Sequence, residues 1–95
     1  MKIFLSLIED VFQINQRGCV VIPGIPRSIN LPIKIGAAIR LIRPDGSEAD
    51  STICGIELGG HLDAPSIPIL LGTGISKDQI PIGTQLWLDA TEIGG

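Results

Sequence analysis

Glycine and proline interrupt this chain too often for a long helix to be drawn through it. There are 12 Gly and 7 Pro in 95 residues; glycine loosens the backbone, and proline removes a hydrogen-bond donor. The segments between them are short and rich in Ile, Leu and Val, which favour strands. Apolar residues make up 44% against 18% charged, a balance that excludes a disordered chain. A chain of this length closes one hydrophobic core without disulfides or metal and leaves no room for a second domain. Short strands joined by tight turns are therefore predicted.

The first such segment, Lys2 to Asn15, has neither the N-cap nor the polar face that a helix would need, and reads as one long strand. Glu9 and Asp10 are adjacent in its middle, so a bulge is expected to turn both carboxylates outward. Asn15-Gln16-Arg17-Gly18 has the chemistry of a hairpin turn leading into the strand Cys19 to Ile22. Pro23, Gly24 and Pro26 are expected to stop that strand. Gly36 marks a bend before the strand Ala37 to Arg43, and Pro44-Asp45-Gly46-Ser47 is the clearest turn in the chain. A returning strand from about Glu48 to Leu58 follows, then a loop from Gly59 to Ser66 and the strand Ile67 to Leu71. Ser76 is positioned to cap one helical turn through Ile80. The last strand is Thr84 to Asp89, and residues 90–95 read as a frayed tail. Six or seven short strands of this kind make a sandwich or a barrel. The length favours a single closed sheet, which also leaves no exposed edges.

Charge and hydropathy narrow the partners. Net charge is −3, and the 7 basic residues, Lys2, Arg17, Arg27, Lys34, Arg40, Arg43 and Lys77, are scattered rather than gathered into the stripe that neutralises nucleic-acid phosphates. The positive mean hydropathy implies apolar surface that another chain covers, so self-association is expected. The opening run Ile3 to Ile8 is too short for a signal peptide, and Glu9-Asp10 ends it without a small-residue cleavage site. No segment approaches the roughly 20 apolar residues of a membrane span. A cytoplasmic setting with Cys19 and Cys54 as free thiols is the expectation, with a Cys19–Cys54 disulfide as the alternative.

No residue set supports catalysis. Glu9 and Asp10 are strand neighbours that project to opposite faces, so they cannot flank one bond. His61, with Asp63 nearby, falls short of a zinc ligand set and reads as a solvated loop residue. Neither cysteine belongs to a Cys-x-x-Cys motif, and both read as core filler. No serine sits in a nucleophile elbow. Leu86, Trp87 and Leu88 are consecutive, so one face of that strand must carry a large apolar side chain outward. Trp87 is then either an anchor for a partner or a residue packed beneath the C-terminal tail.

Several fragments, taken in order, have a family pattern: Leu7 to Ile14 (LIEDVFQI), Arg17 to Val21 (RGCVV), Ile33 to Gly36 (IKIG), Ile53 to Glu57 (ICGIE), and Leu70-Leu71 followed by Gly74 to Gly83 (GISKDQIPIG). Together they resemble the second domain of elongation factor Tu and related translational GTPases, over roughly residues 5 to 88. The resemblance implies a small closed antiparallel barrel of six or seven strands over residues 1–89. The family's GTP-binding domain and its Gly-Lys-Ser/Thr phosphate loop have no counterpart here, so neither GTP binding nor any cofactor is expected.

In elongation factor Tu this barrel helps receive the aminoacyl end of tRNA, and the matching positions are Glu9, Asp10, Phe12 and Glu57. The sequence departs from the family at three places. Cys19 replaces the threonine after Arg-Gly, the uncharged-to-acidic stretch Gly59 to Ser66 replaces a basic loop, and Ile67-Pro68-Ile69 replaces a strand with an asparagine. Each change removes a polar or cationic group useful to RNA. The resemblance therefore implies a stand-alone, non-catalytic binding module that engages a protein partner or itself. Binding of an RNA end is the alternative.

Overall fold

The computed structural model describes residues 2–29, 33–56, 65–72 and 74–89. They form an all-β fold with strands β1 (Lys2–Leu7), β2 (Asp10–Ile14), β3 (Gly18–Pro26), β4 (Ala38–Ile42), β5 (Glu48–Ile56), β6 (Ser66–Leu71) and β7 (Gln85–Asp89), plus one 3-10 turn, Lys77–Gln79. The strands make one antiparallel sheet in the order β1-β7-β4-β5-β6-β3-β2. The ladder is not closed by strand pairing, since β1 stands at one end of that order and β2 at the other.

These two end strands nevertheless follow one another in the chain, separated only by Ile8 and Glu9. The expected single strand from Lys2 to Asn15 thus splits in two, and the break replaces the expected bulge. Ile8 turns into the core while Glu9 and Asp10 are both exposed. The junction is fastened on both sides. Ile8 exchanges backbone hydrogen bonds with the β7 approach (Ile8 N to Thr84 O, 2.8 Å; Gly83 N to Ile8 O, 2.9 Å), and Glu9 N donates to Ile22 O of β3 at 2.7 Å. Ser6, buried on β1, donates its hydroxyl to Gly24 O of β3 at 2.8 Å.

Pro23 and Gly24 do not stop β3, contrary to the sequence reading; the strand ends only at Pro26. Its pairing with β6 resumes at Ile25 after a register shift between Val21 and Ile25. Proline needs only to avoid the donor side of a ladder, and the irregular stretch supplies such positions. In the turn after β2, Gln16 takes a positive φ (62°) ahead of Gly18. The β4–β5 hairpin is as read. Gly46 N donates to Arg43 O and Arg43 N to Ser47 O, both at 2.8 Å, and Asp45 accepts from the Ser47 amide and hydroxyl at 2.8 and 2.6 Å. That arrangement is a type I turn followed by a glycine at positive φ.

Period-two alternation sorts the faces. Ile39 and Leu41 of β4, Ile53 of β5, Ile69 and Leu71 of β6, and Leu86 and Leu88 of β7 point into one core with Ile8, Val11 and Val21. Each such side chain contributes about 1.5–3 kcal/mol by leaving water. Ile75 and Ile80 flank the 3-10 turn and add to the same core. The turn is held by Ser76 N donating to Gln79 Oε1 at 2.8 Å and Gln79 N donating to Ser76 O at 3.0 Å.

Candidate functional site: two outward surfaces

Burial of Leu86 and Leu88 sends Gln85, Trp87 and Asp89 to the outer face of the sheet, and the ladder registers carry that face across four strands. Phe4 of β1 lies opposite Trp87, Trp87 opposite Arg40 of β4, and Arg40 opposite Asp50 of β5. Phe4 and Trp87 meet edge to face, with ring centroids 5.3 Å apart and planes at 68°, a favoured aromatic geometry. Trp87 Nε1 donates to Gln85 Oε1 at 2.8 Å. Leu7, opposite Gln85, extends the apolar part of the face along β1.

The aromatic pair therefore presents outward, with Phe4 44% and Leu7 52% exposed and Trp87 half-buried. Trp87 thus takes the outward position that both sequence readings allow; packing under residues 90–95 falls outside the described residues. Charges of both signs border the apolar part. Lys2 lies opposite Asp89, while Arg40 contacts Asp50 at 2.8 Å and Glu48 at 3.1 Å. The hydrogen bond from Arg40 holds the Asp50 carboxyl below the usual carboxylate range.

The second surface lies on the far half of the sheet. Phe12 of β2 is opposite Val20 of β3, which is opposite Leu70 of β6. These side chains, with Ile14 and Arg17, line an open groove of about 390 Å³. Leu70 lies over Gly55, where a Cβ would stand 3.4 Å from that of Leu70. Phe12 is 48% exposed, and Asp10 shares its outward face two residues earlier on β2. Asp10 Oδ1 also accepts from the Val11 amide at 2.9 Å. Of the residues assigned by resemblance, Phe12 lies in the groove, Asp10 starts its strand and Glu9 just precedes it, whereas Glu57 lies outside the described residues, as do His61 and Asp63. Ile14, Arg17, Val20 and Leu70 were not singled out for this site from sequence, because a groove wall appears only when β3 and β6 are set beside β2.

The two cysteines part company. Cys19 is fully buried, with its Sγ 3.4 Å from Gln13 Oε1 and 3.6 Å from Ile75 O, and burial raises its thiol pKa against a smaller opposing effect of Lys77. Cys54 is exposed, which corrects its reading as core filler, and both thiols are free. Ile53 points into the core, so alternation along β5 puts Cys54 on the outer face, where its Sγ lies 3.9 Å from Thr52 Oγ1 two residues earlier.

Among the described residues, no group of three or more His, Cys, Asp or Glu side chains could hold a metal ion. Nor, among them, is any helix long and apolar enough to cross a membrane. Comparison with protein-family models finds no match, and comparison with curated proteins finds none.

Proposed function

We propose that the chain is a non-catalytic binding module built on a translation-factor-like barrel, and that it engages a protein partner or a second copy through the outer face of β1 and β7. The observation that carries the reading is the exposed edge-to-face pair of Phe4 and Trp87, set on strands whose opposite faces fill the core. Aromatic side chains with large apolar area and few rotamers make good anchors for a partner. In this reading β1 and β2 act as one bent strand that closes the barrel. Support comes from their two-residue separation and from the bonds of Ser6 to Gly24 and Glu9 to Ile22, which draw both end strands onto β3. Two free thiols suit a reducing compartment.

Site-specific photo-crosslinking in the native host tests this. A crosslinker at Phe4 should give discrete adducts, while one at Ile35, 65% exposed in a turn before β4, should give none. Absence of any adduct at Phe4 would remove the reading.

A second reading, binding of an RNA end, is favoured by one observation: the groove joins the exposed ring of Phe12 to the cation of Arg17. A base can stack on such a ring while its phosphate meets a guanidinium. Salt-dependent binding of tRNA that weakens with Phe12→Ala supports it; no binding at low salt removes it.

A further inference from the structure

We propose that the face carrying Phe4, Leu7 and Trp87 is a self-complementary surface that pairs with a second copy of this chain about a twofold axis. The inference rests on the binding-module reading and commits it to one occupant.

A face that docks on its own image must carry charges of both signs, placed so that residue i meets residue j and j meets i. This face does so at its margin, where Lys2 stands opposite Asp89 across the β1–β7 ladder, next to the Phe4–Trp87 pair. A twofold rotation about an axis that runs parallel to the strands, over the seam between β1 and β7, exchanges those two strands and so reverses the order of the two charges. Lys2 of each copy then faces Asp89 of the other, and the exposed rings and Leu7 are covered together. A strongly acidic or strongly basic partner would instead meet a like charge beside each opposite one. The Arg40, Glu48 and Asp50 cluster lies farther across the sheet, toward β5, and within one chain Asp89 acts on Arg40 and Lys2 on Asp50, so the face is a mixed-sign array rather than a field of one sign.

Size sets the strength. With extents of 30 × 30 × 23 Å, a whole side of the molecule is on the scale of the roughly 800 Å² that each partner gives to a stable interface. The apolar residues occupy only part of a side, so the dimer is weak and concentration-dependent.

Sedimentation velocity on the full chain reads this directly. The apparent mass should rise from 10.0 kDa toward twice that value with concentration, and Leu7→Glu should hold it at the monomer with an unchanged circular dichroism spectrum. Lys2→Glu and Asp89→Lys should each weaken the dimer by about fivefold, the scale of a solvent-exposed charge pair.

Mixing those two variants decides the question. In the mixed dimer both intermolecular pairs become opposite in sign again, whereas the pair within each chain stays mismatched. Recovery of dimer on mixing therefore reports contact between copies alone. A wild-type chain that stays monomeric at every concentration overturns the inference, as does a mixture no better than either variant. Crosslinked adducts at Phe4 with masses other than two chains would then leave the module reading standing without the dimer. No adducts at all would remove both.

Discussion

Gly24 of β3 passes so close to Ile67 of β6 that the space for a side chain is already filled by backbone. A Cβ at Gly24 would collide with the Ile67 carbonyl oxygen and stand 2.9 Å from Pro68 Cα, and the residue holds φ at +84°. Gly46, in the β4–β5 turn, has nearly the same φ, +89°, with nothing within 4 Å of its would-be Cβ. The pair separates backbone strain from collision. Gly46→Ala should cost about 1–2 kcal/mol, the conformational penalty alone. Gly24→Ala should cost more by a further 1–3 kcal/mol or so, because rigid backbone cannot yield as a flexible side chain can. Urea unfolding of both variants checks this, and equal losses would contradict it.

Gln13 ties three elements together through one side chain. Its Oε1 accepts from Lys77 N at 3.0 Å and from the Cys19 thiol at 3.4 Å, and its Nε2 donates to Gly18 O at 3.2 Å. Replacement with alanine leaves the buried thiol with Ile75 O as its acceptor and releases the 3-10 turn from β2. The expected loss is about 1–3 kcal/mol. Amide exchange at Lys77 should accelerate well beyond the global change, which separates local release of the turn from uniform destabilisation.

These two residues also show where the sequence was legible and where it was not. Turn chemistry around Pro44 to Ser47 and the alternation of Leu86, Trp87 and Leu88 are local signals, and the structure follows both. Pro23, Gly24 and Pro26 together predict a strand stop after Ile22, yet β3 runs on to Pro26, and Gly24 serves the close approach of a strand more than forty residues away in sequence. No local pattern reports such an approach. The outward position of Trp87 could be weighed from parity, but its partner Phe4 could not, since the register shift between Phe4 and Ser6 sets which β1 residue lies opposite. Cys54 reads as core filler by residue type alone, whereas its alternation with the buried Ile53 puts it on the outer face. Phe12 was named from the resemblance, while the other walls of its groove come from β3 and β6 and needed the assembled sheet.

The thiols should differ in reactivity and in their effect on stability. Cys54 is exposed and should react with an aromatic disulfide reagent in the native state, whereas Cys19 should react only on unfolding. Because burial raises the Cys19 pKa, the native state holds that proton more tightly than the unfolded chain does. Its contribution is complete below the ordinary thiol pKa and is lost as pH rises through the raised one. The alkaline fall in stability should therefore be shallower in Cys19→Ala than in the wild type, each followed by urea unfolding from neutral to high pH. Identical slopes would show that Cys19 is not the group responsible.

Trp87 is the one tryptophan in the chain, so its fluorescence reports the outer face of β7 without interference. Phe4 covers it from the side at 5.3 Å, and the indole N–H is occupied by Gln85. Phe4→Ala removes the ring while leaving the strand and the Leu5 contact with the core in place, so water reaches the indole edge and the emission should shift to longer wavelength. The stability loss should stay near 0.5–1.5 kcal/mol, the range of an aromatic pair on a solvated face. Gln85→Ala should instead release the indole N–H, with a smaller shift and little change in stability, because a freed donor at a half-buried site can bond to water. A Phe4→Ala protein with unchanged emission would mean that the two rings do not pack in solution. The anchor assigned to this face would then rest on Trp87 alone.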